Sequence, residues 1–329
     1  MMYYLIAPMV SFFVVFGMLC WLLKGAMAGA VLDHPNQRSL HTLPRPRTGG
    51  LAMITGVLAA WLAAQSSWGW VMMLMVFFLS AVSFLDDVRG LSVIWRFLAH
   101  FVAAGMFVSV YVLPGLGFVG AALAVLAMVW MTNLYNFMDG SDGLAGGMAL
   151  FGFGFYGVAA WAQGDMAFAG LCWSVSAASV AFLLFNFHPA RIFMGDAGSI
   201  PLGFLAAALG LLGWSVGHWP LWFPMLVFSP FILDASVTLV KRLLRREKVW
   251  QAHCEHYYQR LVKMGWGHRR TALAEYALMA LAGASATWAI GQDDRMQLSV
   301  CMGWSLAYLL GMWLVDSKWS RSQEGSRDV

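Results

Sequence analysis

The sequence predicts an all-α polytopic membrane protein of about eleven transmembrane helices, N-terminus periplasmic and C-terminus cytoplasmic. Three observations carry that reading. Of the 329 residues, 60% are hydrophobic and only 11% charged; soluble domains are nearer half apolar and a quarter charged. The apolar residues recur in runs of about 20, the length that crosses a bilayer as a helix. Finally, 19 of the 20 basic residues fall on alternate connectors, which the positive-inside rule assigns to the cytoplasm.

The first span, 3–24, is apolar from Met1 and meets its first cation only at Lys24. A secretory signal carries basic residues before its apolar stretch, so this run reads as a retained helix. Spans follow at 49–65, 70–85, 96–112, 118–136, 146–161 and 167–187. The run 200–215 is the weakest, being short and glycine-containing, and 219–240, 271–290 and 297–315 complete the set. The connectors 25–48, 86–95, 137–145, 188–199, 241–270 and 316–329 hold the cations and are rich in Gly, Asp, Asn and His. The intervening connectors are short and hold only Arg295. Function is therefore expected on the basic, cytoplasmic face. Residues 1–316 read as one integral-membrane domain, and 317–329 as a disordered cytoplasmic tail. Cys20, Cys172, Cys254 and Cys301 are scattered, with no C-x-x-C pair, and are expected to be free thiols without disulfide or zinc.

Asp86 and Asp87 directly follow an apolar run. Adjacent carboxylates repel unless cations compensate, and Arg89 and Arg96 are near. Such a pair can bind Mg²⁺ or act as a base; a polar helix cap is the plainer alternative. The densest polar cluster runs from Asn133 through Asn136, Asp139, Gly140, Asp142 and Gly143 to Leu144. Its glycines permit tight turns, and its amides and carboxylates offer oxygen ligands or hydrogen bonds. A generic Asx-rich turn needs fewer such groups. In the stretch 186–199, Asp196 sits between glycines, Ser199 can cap the next helix, and Arg191 is close by. A carboxylate, a helix N-terminus and a guanidinium together suit a Mg²⁺-bound diphosphate.

The loop 241–270 opens with Lys241, Arg242, Arg245 and Arg246, which read first as a membrane anchor. His253 and His256 then share a helix face, with Arg260 following. They lack a third ligand for zinc and can instead donate to phosphate oxygens. The first inner loop carries Asp33, His34, Asn36, Arg38, His41, Arg45 and Arg47 among stiffening prolines, either as an anchor or as part of a site. Asp234 lies within a span, where a carboxylate is costly and either pairs with a neighbour or functions. Gathered on one face, these groups suit a metal-bridged diphosphate donor and a lipid acceptor.

On these motifs the sequence resembles the polyprenyl-phosphate N-acetylhexosamine-1-phosphate transferases, or glycosyltransferase family 4, with its WecA-like and MraY-like branches. The matching pieces are Phe84 to Asp87, Asn133 to Leu144, Phe193 to Ser199, Pro46 to Gly50, and His253 with His256. The resemblance spans roughly 33–270 and implies ten or eleven helices with a cytoplasmic active site in a bacterial inner membrane. It implies Mg²⁺ as cofactor, with Mn²⁺ as a substitute, undecaprenyl phosphate as acceptor, and a UDP-N-acetylamino sugar as donor, with UMP released. Asp196 matches the family's metal-binding residue, and Asn136 is placed beside it as a ligand. Asp86, Asp87, Asp139, Asp142, His253 and His256 are the candidate catalytic residues. Asn133, Asn136, Arg47, Arg96, Arg191 and Arg260 are the candidate substrate-binding ones.

Many members carry a third histidine beside the second, whereas Tyr257 and Tyr258 follow His256 here. The short loop and the Asp86-Asp87-Val88-Arg89 run are similar to branches that start O-antigen or capsule synthesis. The expected donor is UDP-GlcNAc or a 6-deoxy N-acetylamino sugar such as UDP-FucNAc or UDP-QuiNAc. Membrane lipid and a homodimer are the further expected partners, and nucleic acid is not. A secondary transporter would place its charges near the bilayer midplane instead. A membrane scaffold would not need the clustered carboxylates, and a lipid phosphatase would need a nucleophile motif not found here.

Overall fold

The computed structural model describes residues 2–24, 32–33, 40, 43–64, 70–248, 251 and 253–325. The described chain is a bundle of helices with one small strand pair. Helices α1 Met2–Lys24, α2 Gly49–Ala63, α3 Trp70–Arg89, α4 Val93–Tyr111 and α5 Leu113–Phe137 come first. Then follow α6 Leu144–Ala162, α7 Met166–Asn186, α8 Asp196–Ser215, α9 Trp222–Val227 and α10 Ser229–Leu244. The chain ends with α11 Tyr257–Leu261, a π turn Val262–Trp266, α12 Gly267–Ile290 and α13 Asp294–Gly325. Strands β1 Leu32–Asp33 and β2 Arg45–Pro46 pair antiparallel, with Asp33 opposite Arg45.

The described part of each of the eleven predicted runs is largely helical. Among the described residues, nine helices are long and apolar enough to cross a membrane. Helix α2 is apolar but shorter, at 15 residues. The span expected at 219–240 is broken between α9 and α10 at Phe228. Pro230, in the first turn of α10, explains the break: it has no N–H to give the carbonyl of Leu226, and the Ser229 hydroxyl gives one instead, at 2.7 Å.

The run that looked weakest is the most enclosed. α8 packs against α2, α3, α4, α5, α6 and α9. Its small residues let neighbours approach closely, and Gly50 and Gly198 meet backbone to backbone, leaving no room for a Cβ on either. Pro201 lies inside α8 and deprives the Ala197 carbonyl of its helical donor; Ser80 Oγ of α3 donates to that carbonyl at 2.8 Å. Two helices that carry acidic residues are thereby locked together.

The disordered tail expected at 317–329 is a correction: α13 continues unbroken to Gly325, and 326–329 lie outside the described residues. Residues 318–324 are mostly good helix formers, and Asp316 is tied to Lys241 and Arg260. His34, Asn36, Arg38 and His41 also lie outside the described residues.

Candidate active site

At the end of the bundle that carries the basic loops, α3, α4, α5 and α8 bring their polar termini together. Asp86 and Asp87 close α3. Asp86 Oδ1 accepts the Leu91 N–H (2.6 Å), and its Oδ2 faces Arg96 Nε (3.2 Å). Arg96, in the first turn of α4, also reaches Asp196 Oδ2 with Nη2 (3.5 Å), so one guanidinium bridges two acids. Asn136, in the last turn of α5, donates Nδ2 to Asp196 Oδ1 (2.9 Å) and to Ser199 Oγ (2.9 Å).

The loop before α2 supplies a second cation. Arg47 donates Nη2 to the Asp87 carbonyl (2.7 Å), and its Nη1 lies 3.5 Å from Asp87 Oδ1. Backbone bonds from Gly49 to Phe193 (3.0 Å), from Gly50 to Met194 (2.8 Å) and from Phe193 to Pro46 (2.8 Å) clamp this loop to the turn before Asp196. Gly195 has φ +73°, and a side chain there would strike the Arg47 carbonyl. Arg47 Nε and Asp87 Oδ2 are both buried without a hydrogen-bond partner among the described residues. Buried polar atoms in this state mark a place where a partner group is to be expected.

Asp139 stands in the turn after α5. It is half-buried and accepts no hydrogen bond among the described residues. Desolvation pushes its carboxyl well above the ordinary carboxylate range, and the charges of Asp196, Asp87 and Asp33 push it further. Among the described residues, Asp86, Asp87 and Asp196 have Arg47 and Arg96 as their ion-pair partners, and Asp139 has none. With all six ionised the group carries two excess negative charges, which a divalent cation would neutralise. Among the described residues no three His, Cys, Asp or Glu side chains enclose a metal position.

The remaining predicted residues take other positions. Asn133 is buried one turn before Asn136, bonded to the Val129 carbonyl (2.7 Å) and beside His100 Nδ1 (3.2 Å). Asp142 holds the next loop through His188 Nδ1 (2.7 Å) and the Ala190 N–H (3.1 Å). Arg191 is exposed and lies over the Phe185 ring at 5.0 Å, with no ion pair among the described residues. Arg260 is buried on Asp316 at 2.8 Å rather than open to a ligand.

His256 Nδ1 lies 3.1 Å from Oδ1 of buried Asp234, so Asp234 is a paired acid. Asp234 also accepts the Tyr257 and Tyr258 N–H groups, at 2.9 and 3.0 Å, and so caps α11. His253 packs on His256 with ring centroids 4.8 Å apart. Burial, then His256 and Arg242, push its pKa down to about 4, so it is a neutral donor or acceptor at physiological pH. The Tyr258 hydroxyl reaches the Phe137 carbonyl at 3.2 Å and lies against Gly140, on both sides of Asp139.

Sequence reasoning missed Ser80, His100 and Asp316. Ser80 is hidden in an apolar run, and only the proline it serves, 121 positions later, signals its role.

Comparison with known proteins places these residues in context. The Glycosyl transferase family 4 pattern matches residues 69–213, which include Asp86, Asp87, Asn136, Asp139 and Asp196. The chain is 33% identical to the probable undecaprenyl-phosphate N-acetylglucosaminyl 1-phosphate transferase of Bacillus subtilis, over 78% of this chain and 76% of that protein. It is 30% identical to the decaprenyl-phosphate N-acetylglucosaminephosphotransferase of Mycobacterium leprae, over 85% and 83% respectively. It is also 33% identical to the phospho-N-acetylmuramoyl-pentapeptide-transferase of Geobacillus kaustophilus, over 51% and 60%.

Proposed function

This chain belongs to glycosyl transferase family 4, and on that premise we propose that it moves an N-acetylamino-sugar 1-phosphate from a UDP-sugar to undecaprenyl phosphate, releasing UMP. The product starts a lipid-linked glycan. The observation that supports the reading best is the acidic cluster around Asp87, whose buried Oδ2 has no donor among the described residues.

In this reading Asp196 and Asn136, which are hydrogen-bonded to each other, would hold Mg²⁺ beside the donor diphosphate. When bound, the ion neutralises phosphate charge and leaves the phosphorus open to attack. Arg96 keeps Asp196 and Asp86 in fixed relation. Asp86 has both oxygens engaged, by Leu91 and Arg96. Asp87 keeps one oxygen that is buried but without a hydrogen-bond donor among the described residues, and is the better candidate base toward the acceptor phosphate. The deprotonated phosphate oxygen attacks the sugar-linked β-phosphorus, the bond to the bridging oxygen breaks, and UMP departs with the electron pair. His253 donates its free N–H to a phosphate oxygen. The inner membrane, the cytoplasmic side of the site and the pairing of two copies belong to the same proposal.

The test is UMP release from purified protein with undecaprenyl phosphate, Mg²⁺ and a panel of UDP-N-acetylamino sugars. Release that requires lipid and metal, and is lost in Asp196→Ala, is the expected result and names the donor. A folded protein that releases no UMP from any donor would overturn the reading.

A further inference from the structure

We propose that Asp316, on the last helix, is a positioning residue that sets the Asp139 turn through α11. This rests on the transferase reading above. Asp316 lies near the C-terminal end of α13, outside the matched family region. Three donors from two other elements converge on its carboxylate. Lys241 Nζ of α10 lies 2.5 Å from Oδ2, the Tyr257 hydroxyl 3.2 Å from Oδ2, and Arg260 Nη1 2.8 Å from Oδ1.

Arg260 is the centre of this grip. It is buried, donates Nε to the Glu255 carbonyl at 2.7 Å, and its guanidinium lies over the rings of Tyr257 (5.2 Å) and Trp319 (5.8 Å). Its other carboxylate neighbour, Glu255, is 3.9 Å away and is shared with Arg242 and Arg245. Without Asp316, Lys241 and Arg260 would be left as two cations facing the same gap. Arg260 is buried while Asp316 is 33% exposed, so loss of Asp316 leaves Arg260 as a buried charge without its shortest ion-pair partner, which favours rearrangement of the segment that bears it.

That segment is α11, whose far side touches the site. Tyr258 bonds the Phe137 carbonyl and lies against Gly140, and the His256 ring stacks on Phe137 at 6.4 Å. A shift of α11 therefore moves the peptide units on either side of Asp139, together with His253. Asp234 independently caps the N-terminus of α11 through Tyr257, Tyr258 and His256. The helix thus stays formed when Asp316 is removed, and what is lost is its setting. The geometry separates two jobs: Asp234 makes the turn of helix, and Asp316 aims it.

The experiment uses the full chain in lipid nanodiscs and compares wild type with Asp316→Asn and Asp316→Glu. It reads hydrogen–deuterium exchange and UMP-release kinetics together. In Asp316→Asn, exchange is expected to rise in 253–261 and 137–143 while α6 to α8 stay protected. There kcat falls about tenfold with KM for the donor changed less than about twofold, because a misplacement of about 1 Å costs up to about a hundredfold in rate. Asp316→Glu restores both readouts.

An Asp316→Asn enzyme with wild-type exchange and kcat overturns the proposal. Exchange raised throughout the chain in both variants also overturns it, since that describes a general structural role. If wild type releases no UMP but exchange rises only in the two named segments, the brace stands and the transferase reading falls instead.

Discussion

Ser80 Oγ donates to the Ala197 carbonyl at 2.8 Å, which is the carbonyl that Pro201 leaves without a helical donor. One hydroxyl therefore fixes the spacing between the helix that ends in Asp86 and Asp87 and the helix that begins at Asp196. Ser80→Ala leaves a buried carbonyl unpaired, at a cost of about 1–3 kcal/mol. The expected outcome is a lower melting temperature in detergent and a reduced rate of UMP release. Unchanged melting would mean that the Ala197 carbonyl finds another donor.

Arg96 holds Asp86 with Nε and Asp196 with Nη2. A lysine has one compact ammonium and cannot span both acids as a planar fork does. Arg96→Lys is therefore expected to keep the fold and lower UMP release roughly tenfold to a hundredfold, the scale of a small misplacement at a reacting centre. Full activity in Arg96→Lys would show that the bridge between the two acids is dispensable.

The fold and the acidic site were legible in the sequence for a physical reason. Apolar runs and basic connectors follow from the bilayer, and Asp86, Asp87, Asn136, Asp139 and Asp196 stand out as polar groups gathered at the ends of such runs. The settings of Arg191 and Arg260 were not legible. Both are arginines in polar loops, yet one lies on a phenylalanine ring and the other is buried on Asp316. Only the packing of α13 against α11, between residues 56 positions apart, separates them. The break at Phe228 had a local cue in Pro230, whereas the continuation of α13 past residue 316 depended on that same distant pairing.

Metal dependence has a readout apart from turnover. A cation that binds only the folded state raises the melting temperature by mass action. Mg²⁺ is expected to stabilise the wild type, and chelation to abolish UMP release until Mg²⁺ or Mn²⁺ is returned. Asp196→Ala is expected to lose both responses. A Mg²⁺-induced shift that survives in Asp196→Ala would place the ion elsewhere.

Asp139 gives a prediction in pH. Its folded pKa is raised above the unfolded value of about 3.9. The folded state therefore binds more protons than the unfolded one, and stability falls as pH rises through the folded pKa. The contribution is complete below about pH 3.9 and is gone once Asp139 ionises in the fold. Asp139→Asn has no charge to develop. In chelator, it is expected to melt higher than wild type at alkaline pH and to lose this part of the pH dependence. Added Mg²⁺ is expected to narrow the gap, because a nearby cation favours the ionised acid. The variant is expected to be less active at every pH despite its stability, since it lacks the carboxylate. If Asp139→Asn melts lower than wild type at alkaline pH in chelator, Asp139 is held ionised by a donor, and the excess negative charge assigned to this site is wrong.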